Sequence, residues 1–410
     1  MLTEVFNPNA VPALPVVIFC SVVDNFGDIG ICWRLARQLV AEQHCQVQLF
    51  VDDLLSFARI CPELDPEQSR QQIAGVTVLH WQSAVAPQHQ LSPAELAQTA
   101  LCIEALACNI PAEFLNALAE ANPQAIWLNL EYLTAEDWAA GCHGLPSPQQ
   151  GIALKKYFFF PGFTADVGGL LREQHSVAQA QALQQEGPLQ HQAWHQLGLN
   201  PPAPGTRVMS LFAYSQTGIA SWLEVLIQDV RPNLLLVAEG AVAESLRQQY
   251  PALAVAGRWQ QGSLTLQILP FVPQPDYDLL LALCELNFVR GEDSVIRAHW
   301  AGKPFVWQIY RQAEQAHLDK LQAFLQLMLA DVPEPLAALV TALHLAWEQE
   351  QDFAVLWPEF VKNYDEIQKL TLRWQQKLLA QQDLASNLVR FVQNRLIMSR
   401  NFPNEKIKLS

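Results

Sequence analysis

The sequence predicts an α/β protein: two doubly wound parallel-sheet domains facing a cleft, followed by a helical tail. Three observations predict it. Short, wholly apolar runs alternate with longer runs of helical periodicity; the alternation breaks off in a segment rich in Gln, Ala, His and Pro and then resumes; and beyond about residue 335 the pattern is helical almost throughout. Strands of a parallel sheet covered on both faces read as continuous apolar runs, and the helices between them supply the cover. A length of 410 residues makes two domains the default.

The elements follow in order. Residues 16–23 form an apolar run of strand length, and residues 29–43 repeat Cys32, Leu35, Ala36, Leu39 and Val40 at helical spacing. Residues 46–51, 76–81, 100–105 and 125–130 are further strands. Helices are expected at 111–121, opened by a proline that suits a first turn, and at 134–140. From 172 to 205, ending in Pro201-Pro202-Ala203-Pro204-Gly205, the chemistry is that of a linker around one helix. The second alternation predicts strands at 208–212, 234–238, 265–269, 286–289 and 305–309, with helices at 217–230, 242–250, 276–284, 293–301 and 315–329. The division expected is a first domain at 1–180, a linker at 181–205 and a second domain at 206–380, with the terminal helix in 381–410 completing the first domain.

Composition narrows the function. The chain is half hydrophobic, which supports real cores, and its 40 acidic against 25 basic residues give a net charge of −15. A field of that sign argues against nucleic acid or an anionic membrane as the main partner. No apolar stretch reaches the ~18 residues of a membrane span, and the amino-terminal residues lack a basic leader. The eight cysteines contain no CxxC and sit mostly in apolar segments, as buried reduced thiols of a cytoplasmic protein do. His191 and His195 have the spacing of a helical metal pair but no third ligand follows, and Asp52-Asp53 reads as a helix start. No metal is expected.

In open α/β sheets ligands sit outside the carboxyl ends of the strands, so the loops there carry the chemistry. The first, Val23-Asp24-Asn25-Phe26-Gly27-Asp28-Ile29-Gly30, has neither GxGxxG nor the P-loop pattern. It offers two carboxylates instead. Either Asp28 caps the helix while Gly27 supplies a positive φ, or Asp24 and Asp28 point into the cleft as acid/base or cation-binding groups. In the second domain, Val289-Arg290-Gly291-Glu292-Asp293-Ser294 is again strand, glycine turn and helix start. Helix N–H groups, the Ser294 hydroxyl and the Arg290 fork can hold a diphosphate; equally, Asp293 or Ser294 caps the helix and Arg290 pairs with Glu292. Phe271 can stack a base, and the Gln274 amide can match an imide edge. Phe212 and Tyr214 can contribute similarly, or serve the core.

Several of these runs resemble the EarP family, the protein-arginine rhamnosyltransferases of elongation factor P. The resemblance rests on Asp24-Asn25-Phe26-Gly27-Asp28-Ile29-Gly30-Ile31-Cys32-Trp33-Arg34-Leu35-Ala36-Arg37, Trp127-Leu128-Asn129-Leu130-Glu131-Tyr132-Leu133 and 270–274. It extends through Arg290-Gly291-Glu292-Asp293-Ser294, Ala301-Gly302-Lys303-Pro304-Phe305 and His317-Leu318-Asp319-Lys320-Leu321. It implies a GT-B fold of two Rossmann-like domains and an inverting, metal-independent transfer of rhamnose from dTDP-β-L-rhamnose. The acceptor implied is one arginine of elongation factor P, which is thereby activated for rescue of stalled translation. Carried over by motif, Asp28 is the base, with Asp24 and Glu292 as further catalytic carboxylates. Phe271 and Gln274 hold the thymine, Phe212 and Tyr214 line the nucleotide site, and Arg290, Glu292, Asp293 and Ser294 line diphosphate and sugar. Ala213 stands where the family carries glycine, which matters little if the backbone makes the contact. No cofactor beyond the donor, a cytoplasmic location and a monomer are also implied. Two alternatives stay open: a GT-B enzyme with a small-molecule or lipid-linked acceptor, and a catalytically dead nucleotide-sugar-binding scaffold.

Overall fold

The computed structural model describes residues 13–23, 26–214, 216, 218–311 and 315–401. Its first half runs β1 (Pro15–Cys20), α1 (Gly27–Gln43), β2 (Gln46–Val51), α2 (Leu54–Ile60), β3 (Arg70–Ile73), β4 (Val76–His80), α3 (Pro87–Gln90) and α4 (Pro93–Gln98). It continues with β5 (Leu101–Ala105), α5 (Ala112–Ala121), β6 (Ile126–Leu130), α6 (Trp138–Cys142) and β7 (Lys155–Phe159). These strands form one sheet in the order β3-β4-β2-β1-β5-β6-β7, parallel except for β3. Alternation in β1 explains its wholly apolar sequence: Val16, Ile18 and Cys20 enter the core on the α1 face, and Val17 and Phe19 the core on the other, where Phe19 stacks on Phe50 at 4.6 Å.

Two helices, α7 (Ser176–Gln185) and α8 (Gly187–Gln196), precede the second sheet. The second half runs β8 (Arg207–Leu211), α9 (Ile219–Ile227), β9 (Asn233–Val237), α10 (Ala241–Gln249), α11 (Pro251–Ala256), β10 (Arg258–Gln261) and β11 (Leu264–Ile268). Then come α12 (Gln274–Leu283), β12 (Leu286–Arg290), α13 (Asp293–Ala301), β13 (Phe305–Gln308) and α14 (Ala316–Leu329). The sheet order is β10-β11-β9-β8-β12-β13, with β10 alone antiparallel. Each sheet therefore starts at its centre, winds one way, and crosses back over its first strand. The crossings, β1/β5 and β8/β12, are the switch points at which such sheets bind ligands. The α7–α8 pair is packed against the second sheet: Ala180 and Leu183 meet Leu279 and Ala282, and Trp194 joins Val208, Leu234 and Leu280.

The tail comprises α15 (Glu334–Glu348), α16 (Phe353–Lys362), α17 (Tyr364–Leu379) and α18 (Leu384–Asn401). Trp347 and Trp357 from the tail close over Trp222 and Phe288, with ring centroids 4.3–6.0 Å apart. At the end the chain returns to the first sheet. The Leu384 N–H donates to Leu170 O at 2.9 Å and Asn387 Nδ2 to Gly168 O at 3.0 Å, while Gln43 Nε2 reaches Ser386 Oγ at 3.0 Å. Arg172 caps the carbonyl end of α17, donating to Leu378, Leu379 and Gln381 oxygens. The helix expected at 134–140 is a correction: α6 starts only at Trp138. Thr134 is instead paired with Gly162 in an isolated bridge, its N–H donating to Pro161 O at 3.1 Å, which holds this stretch extended beside β7. Residues 402–410 of the expected terminal segment lie outside the described residues.

Candidate active site

The loop after β1 is braced before it reaches Asp28. Ser21 Oγ and the Val22 N–H donate to the two Asp52 oxygens at 2.5 and 2.9 Å, while Asp53 caps α2 by accepting from the Ser56 N–H. The Val23 N–H then donates to Asp28 Oδ2 at 2.8 Å. Asp28 sits in the first turn of α1, at the positive end of the helix, and is buried. Asp24 lies outside the described residues. Asp28 lines a cavity with Tyr132, Glu292, Tyr310, Arg311 and Lys320.

A second cavity adjoins the first at Gly27, Gly291 and Glu292, which line both. Its walls hold Phe212, Tyr214, Phe271, Gln274, Arg290, Asp293 and Ser294 together, every site residue named for the second domain. Arg290 lies between two rings, 4.3 Å from the Phe212 centroid and 4.5 Å from that of Tyr214, and its Nη1 donates to Ala213 O at 3.2 Å. Phe271 meets Phe26 edge-on at 4.9 Å, with the Arg59 guanidinium 5.4 Å from its centroid. Gln274 donates through Nε2 to Gly30 O at 3.1 Å, across the cleft, while its Oε1 is buried without a hydrogen-bond partner among the described residues. Gly30 permits this approach, because a Cβ there would lie 2.9 Å from Gln274 Nε2 and 3.3 Å from Asp293 Oδ2.

The turn from β12 into α13 is made by Gly291 at φ 63°, in the left-handed region that favours glycine. Ser294 is turned back on this loop: its Oγ donates to Arg290 O and accepts from the Arg290 N–H at 3.0 Å. Glu292 stands at the N-cap of α13. Its Oε1 accepts from Lys320 Nζ at 2.7 Å and its Oε2 from the Leu133 N–H, in the loop after β6, at 2.8 Å.

Asp293 is held by two arginines, Arg34 Nη1 at 2.7 Å and Arg297 Nε at 2.9 Å. Burial opposes its ionisation, but those guanidinium groups outweigh burial and hold the carboxyl below its usual range. Glu173 behaves alike beside Arg34, whereas burial keeps Asp278 above the usual range despite Arg297. Arg34, Glu173, Arg297, Asp278 and Lys320 had no assigned part from sequence. Arg34 and Lys320 do lie inside two of the quoted motifs, so the signal for them was present. The partners Glu173 and Asp278 come from segments with no such pattern. Among the described residues no group of three His, Cys, Asp or Glu side chains is placed to hold a metal ion, and no helix is long and apolar enough to cross a membrane.

Two Rossmann-like sheets with paired cavities at their switch points define a GT-B glycosyltransferase. A family model described as "Elongation-Factor P (EF-P) rhamnosyltransferase EarP" matches residues 16–393, and the chain belongs to that family. A protein-arginine rhamnosyltransferase of Pseudomonas putida is 44% identical over 381 residues, covering 92% of this chain and 98% of the relative. One from Shewanella oneidensis is 40% identical over 390 residues, with 92% and 96% covered. The structure solved for EarP-mediated arginine glycosylation of translation elongation factor EF-P superposes with a TM-score of 0.65 at 32% identity, covering 93% of this chain and 99% of that one. Arabidopsis thaliana UGT89C1, solved in complex with UDP, shares the fold alone: its TM-score is 0.52 at 11% identity, with 94% and 100% covered.

Proposed function

We propose that this chain transfers rhamnose from dTDP-β-L-rhamnose, with inversion and without a metal, to one arginine side chain of elongation factor P. In this reading it acts in the cytoplasm as a monomer, and the modified factor becomes competent to rescue stalled translation. Family membership supports the arginine of elongation factor P as the acceptor. The observation that carries the rest is the meeting of two cavities at Gly27, Gly291 and Glu292, one walled by aromatic rings and Arg290, the other holding Asp28. A sugar nucleotide fits that arrangement, with its base and diphosphate in the aromatic-walled cavity and its anomeric carbon at the junction.

The donor site is read from its groups. The buried Gln274 Oε1 lacks a donor, and the imide N–H of thymine supplies one. Phe271 offers a ring for stacking. Arg290 and the N–H groups opening α13 meet the diphosphate and stabilise the charge it gains on leaving. Asp293 and Ser294, whose polar atoms are engaged within the protein, shape this wall; direct ligand contact falls to Arg290.

Chemistry at the acceptor is constrained by acidity. Guanidinium has a pKa above ~12.5 against ~3.9 for Asp, a gap of about nine units or roughly 12 kcal/mol. Asp28 therefore does not deprotonate the guanidinium before attack. It orients the guanidinium, together with Asp24, and takes the proton as N–C bond formation makes the nitrogen acidic. In-line placement supplies much of the acceleration. The test is to incubate the full-length protein with dTDP-rhamnose and elongation factor P, and to measure intact mass. One deoxyhexose on one arginine is expected; no adduct, with dTDP still bound, overturns the acceptor assignment.

A further inference from the structure

Lys320 is a buried cation that reaches the cleft. It lies in the second turn of α14, a helix that otherwise faces the core with Leu321, Phe324, Leu325 and Met328, and its side chain is only 10% exposed. Replacing a buried ion pair as a whole by hydrophobic side chains of similar volume is often neutral or stabilising, so such a pair is weak evidence for a role in stability alone. The partner is Glu292, itself only 15% exposed, at 2.7 Å. The second Glu292 oxygen is fixed by the Leu133 N–H, which comes from the other sheet. Both oxygens are therefore tethered, one to each side of the cleft. Lys320 and Glu292 both line the cavity that contains Asp28, so the pair borders the reaction space.

From this geometry we propose that Lys320 is a positioning residue for the transfer reaction. It holds Glu292 in one rotamer at the junction of the two cavities, while Leu133 fixes the distance to the first sheet. The proposal rests on the reading of Glu292 as a catalytic carboxylate given above. A side chain displaced by about 1 Å from its working position can lose about a hundredfold in rate, and the tether acts on chemistry more than on nucleotide affinity, because Lys320 does not touch the aromatic cavity.

The experiment compares full-length Lys320→Met, Lys320→Arg and Glu292→Gln with wild type. It measures kcat and KM for dTDP-rhamnose and, by calorimetry, Kd for dTDP. Lys320→Met is expected to lose about thirtyfold to a hundredfold in kcat with Kd for dTDP within about twofold of wild type, and Lys320→Arg to recover to within about fivefold. Unchanged kcat in Lys320→Met, with Glu292→Gln inactive, overturns the positioning role and leaves the site reading intact. A parallel loss of dTDP affinity also overturns it, since that marks a merely structural lysine. Near-normal turnover of Glu292→Gln overturns the site reading, and the positioning role with it. If Lys320→Met does not fold, Lys320→Arg decides: activity within about fivefold supports the pairing, and a loss beyond about thirtyfold refutes it.

Discussion

Arg34 and Asp293 are joined across the cleft at 2.7 Å, the guanidinium from the first helix of one sheet and the carboxylate from the switch-point helix of the other. Arg34 is 1% exposed, and its remaining donors hold Glu173 in a two-pronged bond of 2.7 Å on each arm. Arg297 extends the chain from Asp293 to Asp278. Two buried guanidinium groups thus meet three partly buried carboxylates beneath the nucleotide cavity. It fixes how α1 and α13 face each other, and α13 is the helix whose start carries Glu292.

Removing Arg34 tests that network. Arg34→Met leaves Asp293 and Glu173 short of a buried partner, and breaking such a pair costs about 3–5 kcal/mol. Both carboxyls are held below their usual range in the folded protein. Their stabilisation is therefore complete above the unfolded carboxylate pKa, near ~4, and is lost as pH falls through the lower folded values. Denaturant titrations of the two proteins should differ fully at pH 7 and begin to converge as pH falls below about 4. A difference that persists undiminished at low pH would mean that packing, not charge, sets the cost.

The Gln274 amide makes a second prediction. Its nitrogen is spent on Gly30 O, so only its oxygen can meet a ligand. Gln274→Ala should weaken dTDP binding about tenfold, the worth of one hydrogen bond, with little change in affinity for elongation factor P. Calorimetry showing unaltered dTDP affinity would remove Gln274 from base recognition.

Asp28 makes a third. It lines the acceptor-side cavity and is absent from the walls of the nucleotide cavity. Asn at this position can still accept from the Val23 N–H, so the loop should keep its shape. Asp28→Asn should lower kcat by about 10²–10⁴-fold, the usual weight of a general base, and bind dTDP as wild type does. Near-normal turnover would sink the assignment.

How much of this was legible in the sequence depended on burial. Strands such as β1, β2 and β9 are covered on both faces, so IFC, QLFV and NLLLV announced them. The three strands that sequence reading missed, β3 (RQQI), β7 (KKYFF) and β10 (RWQQ), are all sheet edges, where one side meets solvent and polar residues dilute the pattern. The loops carrying Asp28, Gln274 and Arg290 were legible because each falls between a strand and a helix. What pairs with them was not. Glu292 meets the Leu133 backbone and Arg34 meets Asp293 only because the two sheets face each other, across 159 and 259 residues, while Lys320 and Glu173 reach Glu292 and Arg34 across 28 and 139 residues. Ser294 shows the converse: its hydroxyl reads as an anion ligand, yet a local bond to Arg290 O takes it up.

Glu348 supplies the last prediction. It ends α15, is 2% exposed, and accepts from the Ile309 N–H at 3.1 Å beside the Asp28 cavity. Burial pushes its carboxyl up to about 7, against the pull of that N–H and of Arg311, with Glu350 adding to the rise; His317 Nε2 stands 3.7 Å away. A folded pKa above the unfolded one means that the native state holds the extra proton. The resulting stability is whole below the unfolded value, near ~4.3 for Glu, and disappears as pH rises through about 7. Glu348→Gln keeps the acceptor for Ile309 and carries no charge to desolvate. Its unfolding midpoint should match wild type near pH 4.5 and exceed it at pH 8, and parallel profiles across that range would show that Glu348 titrates like an exposed carboxylate.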